Sequence, residues 1–136
     1  MQEIISKIKD EVIKRSNEFE SITKVLLTKY NYPSYKIELI VKCILNHSNK
    51  RKEFRTTKEE SILVDADALA HFDSIKSLYS LAYNVMELNQ IDSINFIKDK
   101  LTKDYNEVSI EAKKLINDKY NSIMNCKNIK ELENFF

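Results

Sequence analysis

Apolar residues in this chain recur every three or four positions and almost nowhere alternate, a pattern that predicts helices throughout. Over residues 2–15 the stripe is Ile4, Ile5, Ile8 and Val12, with Ile13 beside it. Over residues 18–30 it is Phe19, Ile22, Val25, Leu26 and Tyr30, read as facing inward. Ser16 and Asn17 carry N-cap chemistry between the two stripes, so both two helices and one kinked helix are open readings. Pro33 then breaks the pattern, because proline disfavours helix at the residue before it. Ser34 is expected to cap a third helix through Asn46. That helix carries Ile37, Leu39, Ile40, Val41, Cys43, Ile44 and Leu45, is apolar on most sides, and is read as the central helix.

The segment 57–72 opens with Thr57 and Glu60, the spacing of a capping box. The threonine hydroxyl can accept from the Glu60 N–H while the carboxylate reaches back to the Thr57 N–H. Ile62, Leu63, Ala66, Leu69 and Ala70 are read as its core face. At about 100° per residue, Asp65 and Asp67 flank that face on opposite sides, whereas Asp67 and His71 share a side. Acids at the edge of a core face are costly to desolvate without a partner, which makes this helix the first place to look for chemistry.

Further on, Asp73 is expected to cap a helix over residues 73–88 with Ile75, Leu78, Tyr79, Ala82, Val85 and Met86 inward. Asp92 or Ser93 starts the next, with Ile94, Ile97, Leu101 and Tyr105. Ser109 starts another, with Ala112, Leu115, Ile116, Tyr120, Ile123 and Met124, and a last helical turn falls within residues 129–136. With no repeat, linker or low-complexity stretch in 136 residues, the expectation is one all-α domain over 1–136, a compact multi-helix bundle.

Composition narrows the functional classes. There is no glycine and one proline, which removes every Gly-rich phosphate loop. A net charge of +1 with interleaved signs gives no electrostatic case for nucleic acid. Cys43 and Cys126 stand alone and far apart, as free thiols in a reducing compartment would. No apolar run approaches the roughly 20 residues of a membrane span, and the N-terminus is unlike a signal peptide. The expected location is the cytoplasm.

Four features could carry chemistry. His47 ends a helix before a polar loop, and reads either as a metal ligand or acid–base group or as a C-terminal cap. Asp67 with His71 reads as a metal-binding pair or as a plain i,i+4 salt link. Lys50, Arg51, Lys52 and Arg55 read as phosphate contacts or as a solvated charge run. The tyrosines read as packing. No Ser–His–Asp or Cys–His arrangement is present.

The order Ile44-Leu-Asn-His47, basic loop, Thr57-Lys-Glu-Glu-Ser-Ile-Leu-Val-Asp-Ala-Asp67-Ala-Leu, then Lys103-Asp-Tyr-Asn-Glu-Val-Ser-Ile-Glu-Ala-Lys-Lys114 resembles the C-terminal two-thirds of HD-domain metal-dependent phosphohydrolases, over residues of about 18–124. The Asp-Ala-Asp-Ala-Leu helix is the most specific part. The resemblance implies a helical bundle binding divalent manganese, iron, nickel, magnesium or zinc and hydrolysing phosphate esters, often of nucleotides. There a metal-bound water is the nucleophile. It implies metal ligation by Asp67 and by His47, and an outer-shell role for Asp65. The His-Asp doublet that names the family has no counterpart, since no histidine precedes His47. The expectation is therefore an incomplete or degenerate site, completed by a homodimer or by a complementary N-terminal half. The alternative is a catalytically inert helical interaction domain.

Overall fold

The computed structural model describes the backbone of residues 2–47 and 49–136, and the side chains of residues 14, 15, 17–47 and 52–136. The Ile4, Ile5, Ile8 and Val12 stripe and the side chains of Lys50 and Arg51 lie outside the described residues. Among the described residues every regular element is helical and there is no strand, so the chain is all-α. No helix there is long and apolar enough to cross a membrane.

The chain folds as two compact units, Met1–Glu60 and Ser61–Phe136. In the first, α1 is one continuous helix, Gln2–Lys29, which settles the question left open at Ser16 and Asn17. It ends where Asn31 enters the left-handed region at φ 57°, a conformation that asparagine tolerates better than most residues. The second helix, α2, covers Ser34–Asn46 and packs on α1. Pro33 holds its N-cap position and no side chain caps it, so Ser34 is the first helical residue rather than the cap. Within α2, Ile37, Val41 and Asn46 are buried, while Leu39, Ile40, Cys43, Ile44 and Leu45 are half-buried. A 3-10 turn, Asn49–Phe54, then leads towards α3, Lys58–Asp73, and the division between the units falls after the first turn of α3.

The inward assignment of residues 19–30 does not hold. Phe19, Ile22, Val25, Leu26 and Tyr30 are 51–68 % exposed. The half-buried positions of that half of α1 are instead Glu20, Thr23 and Leu27.

The second unit contains α4 (Ile75–Ser80), α5 (Gln90–Glu107), α6 (Ile110–Asn125) and α7 (Ile129–Leu132). Here α5 is the centre. It packs on α4, α6 and α7, and its Ile94, Ile97 and Leu101 are buried. Ala68 and Phe72 from α3, Ile75 from α4, Ala112, Ile116 and Ile123 from α6, and Leu132 from α7 complete the core. Asn89 caps α5 by accepting from the Asp92 N–H at 2.9 Å, so the helix starts before Asp92. Ser109 caps α6 as expected.

Three faces differ from the periodicity reading. On α3 the buried line is Val64, Ala68 and Phe72, four residues apart, while Ile62 is 56 % exposed and Ala66 and Ala70 lie outward. A helix rotated to bury Phe72 gains more apolar area than one that buries two alanines. On α6, Leu115 is exposed. After α4 the chain passes into a π-helical segment, Leu81–Val85, where the Met86 N–H bonds Leu81 O at 2.9 Å. The extra residue in that turn rotates the following positions, and Val85 and Met86 emerge exposed. Asp73 belongs to α3, and the cap position of α4 is Ser74.

Candidate functional site

The acids of α3 divide as the 100° spacing requires. Asp65 faces the start of α6. Its Oδ1 accepts the Ser109 N–H at 2.8 Å and its Oδ2 accepts the Ser109 hydroxyl at 2.6 Å. Ser109 Oγ in turn accepts from the Ala112 N–H at 3.2 Å. A carboxylate at the positive end of a helix dipole is favourable, so both oxygens of Asp65 serve to hold α6 against α3.

Asp67 lies on the other side of α3, 44 % exposed, with its carboxylate 3.9 Å from His71 Nδ1. Thus the expected pair does come together. The imidazole, however, has a closer partner that the sequence reading missed. His71 Nδ1 is 3.0 Å from Oδ2 of Asp104, on α5, a side chain only 4 % exposed. A carboxylate can only accept, so the proton sits on Nδ1 and Nε2 is left as the ring's second polar atom. Lys100, one turn before Asp104, donates to both of its oxygens at 2.7 and 2.9 Å. Burial pushes the Asp104 carboxyl up, but the hydrogen bonds and charges of His71 and Lys100 outweigh it and hold the group below its ordinary value. A signal for Asp104 was present: it follows Ile97 and Leu101 at helical spacing, and an acid on a buried line requires a partner.

His47, in the other unit, is the C-cap residue of α2, exposed, with its ring Nδ1 2.5 Å from Ile44 O. Of the two readings open for it, the geometry is that of a cap. The end of α2 has a second cap in Arg55. Its guanidinium donates to Asn46 O at 2.7 Å and to His47 O at 3.0 Å. A cation is favourable at the negative end of a helix.

Glu60 closes the same region. Its Oε2 accepts from the Thr56 N–H, the Thr57 N–H and the Thr57 hydroxyl at 2.8–2.9 Å. Its Oε1 accepts from Asn46 Nδ2 at 2.8 Å, and Lys42 Nζ stands 3.8 Å from Oε2. The capping box is therefore formed, with Glu60 N–H reaching Thr57 Oγ1 at 3.3 Å. It also ties the start of α3 to the end of α2.

These bonds bear on whether a metal fits. Asp65 has both oxygens engaged by Ser109, and His71 has one nitrogen engaged by Asp104. Beside His71, the Asp67 carboxylate is half-exposed, 3.9 Å from the ring. Most ions held by proteins need three or more groups. Among the described residues no three His, Cys, Asp or Glu side chains gather to hold an ion. Both cysteines are free, Cys43 half-buried and Cys126 buried, and burial pushes each thiol up. Compared with protein-family models, curated proteins and solved structures, the chain matches none.

Proposed function

We propose that this chain is an HD-like helical domain, related to metal-dependent hydrolases of phosphate esters or nucleotides, in which Asp67 is the retained ligand and the domain does not complete a metal centre alone. The observation that supports this reading is the division of labour on α3. Asp65 is engaged with α6 and Asp104 holds His71, while the Asp67 carboxylate is half-exposed and stands 3.9 Å from the His71 ring. The Asp67 carboxylate supplies one of the donors that an ion needs, since His71 Nδ1 is held by Asp104. No hydrolytic step is assigned to it.

The test is a calorimetric titration of the full chain with manganese chloride, beside hydrolysis of p-nitrophenyl phosphate, for the parent and Asp67→Ala. The expected result is weak binding, with Kd on the order of 10⁻³ M, further weakened by the substitution, and no hydrolysis above manganese in buffer. Tight binding of one ion per chain, lost in Asp67→Ala, would mean that the domain builds a complete centre. Identical titrations for the two proteins would remove Asp67 as a ligand and leave the inert interaction domain.

A further inference from the structure

The second half of α1 carries an apolar stripe that is left uncovered among the described residues of the first unit. Phe19, Ile22, Leu26 and Tyr30 fall within an arc of about 80° at 100° per residue, with Val25 at its edge. They are 60, 65, 51, 68 and 68 % exposed in the order Phe19, Ile22, Leu26, Tyr30, Val25. The line is separate from the half-buried Glu20, Thr23 and Leu27 of the same helix.

We infer that this stripe is the surface through which two copies of the chain pair, α1 antiparallel to α1. The inference is independent of whether Asp67 takes an ion. Three observations carry it. The spacing of Phe19, Ile22 and Leu26 is three then four residues, the alternation of a helix–helix seam. The area is of the right size. Five side chains more than half exposed present on the order of 500–600 Å² per copy, taking about 150–250 Å² for each whole aromatic side chain and less for the aliphatic ones. Doubled across a pair, this approaches the ~1,200 Å² at which stable interfaces begin.

The third observation is charge. The flank of the stripe that carries Val25 also carries Glu18 towards one end and Lys29 towards the other, both exposed. In a parallel pair the same flanks of the two copies lie on opposite sides of the seam, so Glu18 would not face Lys29. An antiparallel pair centred near residue 24 places Ile22 against Leu26 of the second copy. It also brings each Glu18 within about one residue rise, ~1.5 Å, of the level of Lys29 opposite. Such a contact is self-complementary, as a two-fold pair requires.

Sedimentation equilibrium of the full chain tests this. The parent is expected at twice 16.0 kDa when loaded at roughly 100 µM, a concentration that a standard-size interface readily saturates. Leu26→Glu is expected to raise the dimer Kd by roughly 100-fold without loss of helical circular dichroism, because Leu26 is not part of the core. Glu18→Lys is expected to raise Kd roughly tenfold, and Glu18→Lys with Lys29→Glu to recover most of it. A parent that remains monomeric overturns the inference and assigns the stripe to a different protein. A dimer untouched by Leu26→Glu places self-association elsewhere and overturns it equally. A charge-reversed double variant that stays as weak as the single one overturns the antiparallel geometry.

Discussion

Replacing Glu60 by glutamine tests the knot that joins α2 to α3. The side chain is fully enclosed and its two oxygens accept from Thr56, Thr57 and Asn46. Burial pushes the carboxyl up, but these donors outweigh burial and hold it at about 2, against an ordinary value of 4.5. At about 1.4 kcal/mol per unit, ionised Glu60 contributes on the order of 3 kcal/mol near neutral pH. Glutamine keeps the shape and one acceptor, yet its NH₂ would face the Asn46 amide. Turning that amide over forfeits only its long contact to Phe54 O, 3.4 Å. Glu60→Gln is therefore expected to cost about 2 kcal/mol, and Glu60→Ala, which leaves two backbone N–H groups and the Asn46 amide without their acceptor, about 3–4 kcal/mol. The pH dependence has a definite sign. Because the folded value is the lower one, the unfolded chain binds more protons between the two. The stabilisation is full above 4.5 and is lost as pH falls towards about 2. Urea unfolding followed by far-ultraviolet circular dichroism should show a gap between parent and Glu60→Gln at neutral pH that closes towards about pH 2. At neutral pH, amide exchange at Thr56 and Thr57 should speed up in the variant. A gap that stays constant across the titration would refute the role given to the charge, and no gap at all would refute the knot.

Asp65→Ala removes the acceptor for both the N–H and the hydroxyl of Ser109. It should cost about 1–2 kcal/mol, and a double-mutant cycle with Ser109→Ala by thermal unfolding should return a coupling near 1 kcal/mol. Additive losses would mean that the two side chains act separately. Asp104→Ala strips His71 and Lys100 of their shared carboxylate and should cost about 3 kcal/mol. Since Asp104 is held below its ordinary 3.8, its contribution should be complete above that pH and fade as pH falls below it. A urea midpoint that matches the parent at neutral pH would contradict this.

The sequence was most legible where structure is local. Thr57 with Glu60, Ser109 with Ala112, and the stop at Asn31-Tyr-Pro33 each depend on groups within three or four residues. All three are formed. The inward line of α5 was also legible, because Ile94, Ile97 and Leu101 fall on one helical face. On α3 two apolar lines were available, and periodicity chose Ile62, Ala66 and Ala70 over Val64, Ala68 and Phe72. A helix with apolar residues on several sides does not encode which side will meet a neighbour. At the candidate site, the pairing of Asp67 with His71 could be read from an i,i+4 spacing, but its subordination to Asp104 could not.

What the chain determined by itself is its helical class, the caps at Thr57 and Ser109, the break at Pro33, and the placing of Asp65 and Asp67 on opposite sides of one helix. These follow from backbone geometry and short-range hydrogen bonding. What tertiary structure decided is which faces are buried and which acids are engaged. Asp65 meets Ser109 44 residues away and His71 meets Asp104 33 residues away. Arg55 reaches back nine residues to the end of α2. Such bonds depend on how helices are brought together in space, and that is settled by the total apolar area buried rather than by any local pattern.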